Sequence, residues 1–130
     1  MESGTLRINM VMDDMMINMA ADFDAYPSGR VPSDGKYNGE SFREELLYPA
    51  ISEVIEGKTE DKKVIVDIDG VRSFGSSFLE EAFGGLVRNR NLTANQILDV
   101  LTIQCTKNHL LFYKDSIIGY IRDAKKLQTN

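Results

Sequence analysis

The chain has one cysteine, one histidine, three prolines and no tryptophan among its 130 residues. A single cysteine cannot form an intramolecular disulfide, which excludes a small secreted domain held together by disulfides. No apolar run approaches the roughly 20 residues that a membrane helix needs, and the first ten residues contain no basic stretch followed by an apolar one. We therefore expect a cytoplasmic protein that does not associate with a membrane.

Positive charge is also scarce. The chain has 15 Lys and Arg against 20 Asp and Glu, which gives a formal net charge of −5. Proteins that grip nucleic-acid phosphates are normally basic, so nucleic acid is not an expected partner. The 42% hydrophobic content, with six phenylalanines and five tyrosines, is enough for one packed core. We therefore expect a single domain that spans residues 1–130.

Motifs for metals, nucleotides and catalysis are missing as well. Cys105 and His109 give no zinc-binding spacing, and neither familiar nucleotide-binding glycine loop occurs. We expect Cys105 to be a small core residue and His109 to lie on the surface at a helix start. Neighbouring helical side chains diverge, so Glu80 and Glu81 are interpreted as a cap and a surface charge. No catalytic residue and no cofactor is therefore expected.

Alternating apolar residues predict strand structure at the start of the chain. Two sets of residues each share one face: Leu6, Ile8, Met10 and Met12, then Met15, Ile17 and Met19. Asp13 and Asp14 lie between the two sets. They indicate either a tight hairpin turn or one long bent strand.

Residues 24–39 form the one irregular region, and the stretch from Tyr26 to Gly39 contains two prolines and three glycines. A loop longer than about 12 residues in a compact domain is commonly functional or mobile. This loop carries Arg30 and Lys36 in an otherwise acidic chain. Both a solvated Ω-loop and a binding loop fit the pattern.

Two capping boxes predict helix starts, Ser41 with Glu44 and Ser77 with Glu80. An apolar stripe follows each box. The first stripe contains Pro49 as an expected kink and ends at Gly57.

The second stripe contains Gly84-Gly85 in its interior. Because glycine is unfavourable inside a helix, this pair indicates either close packing or a break.

The remaining segments predict an α/β sandwich. A nearly continuous β-branched run at 64–68 is typical of a central strand. Thr93 with Gln96 indicates a short helical turn, 100–105 a further strand, and 110–127 a long amphipathic helix. Alternation of strands and helices favours a sheet that is parallel at least in its later part, with helices packed against it.

The residues with candidate chemistry lie in segment 64–85. Asp67 and Asp69 follow a strand, as in the opening motif of haloacid-dehalogenase-type phosphatases. Those enzymes also need a later lysine and a later acidic pair, and the chain after Asp67 is too short to supply them. Asp67, Asp69 and Gly70 are instead expected to shape a turn, with no metal site.

The same segment resembles the strand–turn–helix of STAS domains, the anti-sigma-factor-antagonist module. The residues in register with that pattern are Asp67, Gly70, Val71, Ser76, Ser77 and Leu79. Ser76 takes the place of the phosphoacceptor serine of those domains. Gly75 and Phe78 replace the acidic residue and the glycine that usually flank the serine pair. A helix N-terminus has unpaired amides and a partial positive charge, which suit a phosphate.

The chain as a whole resembles a STAS-like family of unknown function, DUF4325, over residues 17–127. The elements that carry the resemblance occur in order: Phe23, Gly29-Arg30, Gly39-Glu40, Phe42-Arg43-Glu44, D-x-D-G-V at 67–71 and G-S-S-F-x-E-E-x-F-G-G at 75–85. The resemblance implies a STAS-like mixed β-sheet with helices packed against it. It also implies histidine-kinase-type ATPase domains as neighbours and no established reaction.

We therefore expect a non-enzymatic regulatory module that binds a protein, either a histidine-kinase-type ATPase or an anti-sigma-like factor. Phosphorylation of Ser76 or Ser77 would switch the binding. The expected partner or ligand face contains Gly29, Arg30, Lys36, Gly75 and Phe78.

Two alternatives stay open. One is an enzyme or small-ligand-binding domain that holds an anionic group with Arg30, Lys36 and the helix N-terminus. The other is a stand-alone inhibitor of an unrelated protein. Homo-oligomers are compatible with each of these readings.

Overall fold

A three-stranded parallel sheet lies at the centre of the computed structural model, which describes residues 14–57, 62–75 and 77–125. In spatial order, the strands are β1 (Met15–Asn18), β2 (Val64–Asp67) and β3 (Leu101–Gln104). Ile17, Val66 and Ile103 lie side by side across the sheet. The β-branched run therefore forms the central strand, as predicted, and the α/β fold class is confirmed. The predicted strand at Leu6 to Met12 lies outside the described residues.

Helices connect the strands. One face of the sheet is buried at Ile17, Val66 and Ile103, whereas Met16 and Thr102 on the opposite face are exposed. The helices are α1 (Met19–Asp22), α2 (Gly39–Phe42), α3 (Tyr48–Gly57), α4 (Gly85–Arg88), α5 (Ala94–Val100) and α6 (Leu111–Asp123). Two π-helical turns, Arg43–Leu47 and Glu80–Gly84, precede α3 and α4. Short 3-10 helices occupy Pro32–Asp34 and Asn108–Leu110. Within the described ranges, none of the helices combines the length and apolar character of a membrane span.

The first long helical segment begins earlier than the sequence predicts. The Asn38 side chain caps α2 and accepts a hydrogen bond from the Ser41 amide at 2.9 Å. The Glu44 carboxylate accepts instead from Arg43 and Arg90. The predicted Ser41–Glu44 capping box is therefore wrong, because an asparagine three residues upstream provides the cap.

A π-helical turn lies just before Pro49, where the sequence predicts a kink. The π-helical turn Arg43–Leu47 ends just before it, and α3 continues to Gly57. Proline lacks an amide hydrogen and crowds the carbonyl four residues earlier, so the turn before it departs from regular geometry.

Ser77, the serine of the second predicted capping box, lacks the usual backbone geometry of an N-cap residue. Ser77 has a φ of 67°, whereas an N-cap residue normally has extended backbone angles. The Glu80 carboxylate accepts hydrogen bonds from Arg30 and Arg88. The helical segment 78–88 nevertheless starts directly after Ser77.

Phe78 lies in the core and not on the predicted face. Its side chain is fully buried. Its ring lies 5.8 Å from the Phe42 ring and 6.0 Å from the Phe74 ring, measured between centroids. Phe78 therefore contributes a hydrophobic anchor to the core.

The Gly84-Gly85 pair marks close packing. A Cβ atom on Gly85 would overlap the guanidinium of Arg43, which is itself buried. The pair thus makes room for a charged side chain from the neighbouring helical segment, which the sequence pattern alone did not indicate.

The later elements agree with their predictions. Thr93 and Gln96 form a reciprocal capping box at the start of α5, with hydrogen bonds of 2.9 and 3.0 Å. β3 lies within the predicted strand, and α6 buries Ile117 and Ile121 against the core. The last predicted apolar position, Leu127, lies outside the described residues.

Candidate functional site

The 24–39 loop folds back onto the turn that precedes segment 78–88. The Gly75 amide donates to the Pro27 carbonyl at 2.8 Å, and the Gly39 amide donates to the Gly29 carbonyl at 2.9 Å. A Cβ atom on Gly75 would overlap the Ser28 side chain, so only glycine allows this approach. These contacts bring the predicted residues Gly29, Arg30 and Gly75 next to Ser77.

In the part of the chain that the structure describes, Ser77 lines two open hollows. The first, named the polar hollow, has a volume of about 320 Å³ and is lined by Ser28, Gly29, Arg30, Asp34 and Ser77. The second, named the aromatic hollow, has a volume of about 190 Å³. It is lined by Phe74, Gly75, Ser77, Leu79, Glu80, Phe112, Tyr113, Ser116 and Tyr120. Ser77 thus lines both surfaces.

Ser77 is exposed and has left-handed backbone geometry, with φ at 67°. Left-handed geometry at a residue other than glycine costs on the order of 1–3 kcal/mol and persists only where the surroundings impose it. Its carbonyl accepts from the Glu81 amide at 3.1 Å, which begins the helical segment. The other predicted phosphoacceptor, Ser76, lies outside the described residues.

Glu80 and Glu81 converge on one arginine, contrary to the sequence interpretation. Arg30 Nη1 donates to Glu80 Oε1 at 2.6 Å and to Glu81 Oε1 at 3.2 Å. Glu81 is buried, so it is not a surface charge. The two glutamates therefore hold the 24–39 loop against segment 78–88.

A buried arginine extends this network into the core. Arg43 Nη1 donates to Glu81 Oε2 at 2.9 Å and to the Glu81 carbonyl at 2.7 Å, and its Nε donates to Glu44. Arg43 is only 3% exposed. The contacts of Arg43 join the two π-helical turns, so the loop, both helical segments and the core are connected through charged side chains.

A family model described as a STAS-like domain of unknown function (DUF4325) matches residues 38–109, more than half of the chain. The chain belongs to this family. No curated protein and no solved structure matches it.

The matched range of this STAS-like domain includes Ser77, Arg43 and Glu81. Arg30 and the part of α6 that lines the aromatic hollow lie outside it, so both hollows combine family and flanking residues. The description of the family names no activity.

In this STAS-like domain, Asp67 and Asp69 form hydrogen bonds at the carboxyl ends of strands β2 and β3. Asp67 Oδ1 accepts from the Asp69 amide at 2.9 Å. Asp69 accepts from the Thr106 amide at 2.8 Å and from the Thr106 hydroxyl at 2.7 Å, and these bonds hold the pKa of Asp69 below its ordinary value. The two carboxylates thus connect the ends of β2 and β3. No group of three metal-ligating side chains occurs in the part of the chain that the structure describes.

Lys36 does not join the residues around Ser77. It is exposed, and its ammonium lies 5.4 Å from the centre of the Tyr37 ring. Of the five predicted face residues, Gly29, Arg30 and Gly75 thus line the hollows and Phe78 and Lys36 do not.

Two glutamates of the STAS-like domain have a lowered pKa. Burial raises the pKa of Glu80, but hydrogen bonds from Arg88 and Arg30 outweigh it, and the net pKa lies below the ordinary value. The hydrogen bond from Arg90 lowers the pKa of Glu44. Both carboxylates therefore stabilise the fold in their ionised form.

The lowered pKa of Glu80 makes stability dependent on acidic pH. A depressed folded-state pKa contributes stability above the unfolded value of about 4.3, and this is lost as pH falls through the folded value. We expect Arg88→Met to flatten the decline of melting temperature below about pH 5 relative to the wild type. Arg72→Met, at an exposed arginine, should leave the profile unchanged. Parallel profiles for Arg88→Met and the wild type would contradict this role of the ion pair.

Proposed function

We propose that this STAS-like domain is a non-enzymatic protein-interaction module whose partner-binding face is centred on Ser77. One observation carries the proposal. Ser77 is exposed, is held in left-handed geometry, and lies between two open hollows of different chemistry. An unusual backbone conformation that the surroundings impose at an exposed residue is a feature of binding and switch sites.

The contacts that hold this face in place indicate that the surface is ordered before a partner binds. The polar hollow is edged by Arg30, which Glu80 and Glu81 hold in place. Gly75 and Ser28 pack against each other below Ser77. A surface that is already ordered loses less conformational freedom when a protein binds, so more of the contact energy appears as affinity.

Phosphorylation of Ser76 or Ser77 is the proposed switch. A phosphate adds a charge of about −2, and Glu80 lines the same hollow as Ser77. Bringing such a charge into a closed interface requires its desolvation, which weakens binding unless the partner offers a matching cation. The resemblance to STAS antagonists supports a histidine-kinase-type ATPase as both the kinase and the partner.

The structure favours this function over capture of a small anion. The guanidinium of Arg30 is already engaged by two carboxylates, and the Asp34 side chain lines the same hollow. An anion at this position would meet a carboxylate and compete with two others for Arg30. A stand-alone inhibitor would use the same face and would differ only in its target.

The test uses a histidine-kinase-type ATPase domain from the same organism, with ATP. Intact-protein mass spectrometry should show one added phosphate, and peptide fragmentation should place it on Ser76 or Ser77. The Ser76→Ala/Ser77→Ala double variant should remain unmodified. In calorimetry, the phosphorylated protein should bind the ATPase domain at least about tenfold more weakly. An active ATPase domain that transfers no phosphate, or equal affinity of both forms, would overturn the proposed switch.

A further inference from the structure

Arg30 and Ser77 line the same polar hollow, and contacts on both sides of Ser77 fix their relative position. A Cβ atom on Gly75 would overlap the Ser28 side chain, so the segments that precede the two residues pack against each other. The Ser77 carbonyl accepts from the Glu81 amide at 3.1 Å, and the Glu81 carboxylate accepts from Arg30 Nη1 at 3.2 Å. One helical turn thus links Ser77 to a carboxylate that binds Arg30.

The guanidinium of Arg30 is suited to a further anionic partner. Its hydrogen bonds to described residues, Glu80 and Glu81, both use Nη1, whereas a guanidinium carries N–H donors on all of its nitrogens. The Arg30 side chain is 43% exposed. The planar fork of a guanidinium matches phosphate oxygens through parallel hydrogen bonds. Arg30 can thus bind a phosphate in the polar hollow while Nη1 stays with the glutamates.

We propose that a phosphate on Ser77 is bound within the same chain by Arg30, and that this contact fastens the 24–39 loop to the modified serine. The inference deepens the proposed function and rests on its phosphorylation of Ser77. In that reaction the phosphoryl group passes from ATP to Ser77 Oγ, and ADP and the hydroxyl proton are released. The phosphate then fills the polar hollow, so the partner loses this part of the binding face.

The polar hollow has room for a phosphate, and the charges around it balance. Its volume is about 320 Å³, whereas a water molecule takes up about 30 Å³ in the liquid. The charged side chains that line the hollow or pair behind it are Arg30, Arg43, Arg88, Asp34, Glu80 and Glu81. The Asp34 carboxylate accepts from the backbone amides of Arg30 and Val31 at 2.9 and 3.3 Å. The phosphate therefore enters a region without net charge in a chain that is acidic overall.

Attachment to Ser77 distinguishes this phosphate from a free anion, which the same hollow disfavours. A free anion competes with carboxylates for Arg30 from dilute solution and loses its translational freedom on binding. A phosphate on a residue that lines the hollow has an effective concentration on the order of millimolar or above. Its second negative charge also strengthens the hydrogen bonds to a guanidinium.

The test introduces phosphoserine genetically at position 77, so that no kinase is needed, and follows its phosphorus NMR signal against pH. Contact with an arginine stabilises the dianion of phosphoserine, whose second pKa is ordinarily about 6. The titration midpoint should therefore lie at least about 0.5 pH unit lower in the otherwise unaltered chain than in Arg30→Met. Lys36→Met is the matched control, because it removes one cation from the same loop at a residue that does not line the polar hollow. Its midpoint should equal that of the unaltered chain.

Two further readouts need no substitution. The Nε–H signal of Arg30 in nitrogen NMR should shift on phosphorylation and follow the same pH midpoint as the phosphate. Hydrogen exchange of the Gly39 and Glu40 amides, which donate to carbonyls of the loop, should slow at least about threefold. Melting curves verify that Arg30→Met folds, as we expect because Arg88 and Arg43 still bind the two glutamates.

Three results would overturn the inference: equal midpoints in Arg30→Met and Lys36→Met, an Arg30 signal that does not respond to the phosphate, or unchanged exchange of the two amides. Any of these, combined with binding of the ATPase domain that is about tenfold weaker after phosphorylation, would leave the proposed function standing, with the phosphate acting directly in the interface. Conversely, a lowered midpoint with unchanged affinity for the ATPase domain would overturn the proposed switch and leave the Arg30 contact standing.

Discussion

Replacing Glu81 with alanine lowers the free energy of unfolding by about 3–5 kcal/mol, a large share of the roughly 5–15 kcal/mol that stabilises a typical domain. The substitution removes a carboxylate that pairs with Arg43 at 2.9 Å. Arg43 is 3% exposed, so its charge stays buried with Glu44 as its remaining ion-pair partner. The loss is measured by chemical denaturation followed by circular dichroism.

Two further variants identify the cause of this loss. Glu45→Ala removes an exposed glutamate from the first π-helical turn and should change stability by less than about 0.5 kcal/mol. The double variant Arg43→Met/Glu81→Leu replaces the buried pair with apolar side chains and should recover part of the loss. A Glu81→Ala protein as stable as Glu45→Ala would show that the buried pair does not hold the two helical segments together.

Phe78→Ala should lower the free energy of unfolding by about 3–5 kcal/mol, because it leaves a cavity among packed rings. Phe78 is fully buried, and its ring lies about 6 Å from those of Phe23, Phe42 and Phe74. Phe112→Ala makes the same chemical change at a 72% exposed position and should cost less than about 0.5 kcal/mol. Thermal and urea denaturation of the two variants measure the difference.

Similar losses in the two phenylalanine variants would contradict the assignment of Phe78 to the core. A Phe78→Ala protein that is fully stable but no longer binds the proposed ATPase partner would support the sequence prediction that Phe78 belongs to the binding face.

The sequence predicts the elements that local patterns determine. The β-branched run at 64–68 gave the central strand, and Thr93 with Gln96 gave a true capping box. In both cases the deciding interactions lie within a few residues or follow directly from hydrophobic burial.

The glutamates of both predicted serine capping boxes take part in long-range ion pairs. Glu44 and Glu80 have the correct spacing from a serine, but distant arginines bind their carboxylates. Arg30 lies 50 residues from Glu80, and Arg90 lies 46 residues from Glu44. Local spacing does not encode which long-range ion pair competes for a side chain.

The residues around Ser77 were partly predictable. Arg30, Gly29 and Gly75 were singled out from the sequence and do lie together, whereas the buried pair of Arg43 with Glu81 was missed. The Gly84-Gly85 pair is the sequence feature that points to this contact, since it indicates that another part of the chain packs closely against the helix. It did not identify an arginine as the group that approaches.

The aromatic hollow was missed because it joins residues far apart in the sequence. Phe74 precedes the serine pair, whereas Tyr113 and Tyr120 belong to α6 and fit the apolar stripe of an ordinary amphipathic helix. The apolar pattern of a helix does not show which of its side chains stay exposed in the folded protein.

The most direct test of the interaction face compares Ser77→Asp with Asn95→Asp by calorimetry against the ATPase domain. Both changes add one negative charge at an exposed residue. Aspartate tolerates the left-handed backbone of Ser77 and is favourable in the first turn of α5, so both variants should fold. We predict that Ser77→Asp weakens binding at least about tenfold and that Asn95→Asp stays within about twofold of the wild type. Wild-type affinity in both variants, or an equal loss in both, would contradict a binding face at Ser77.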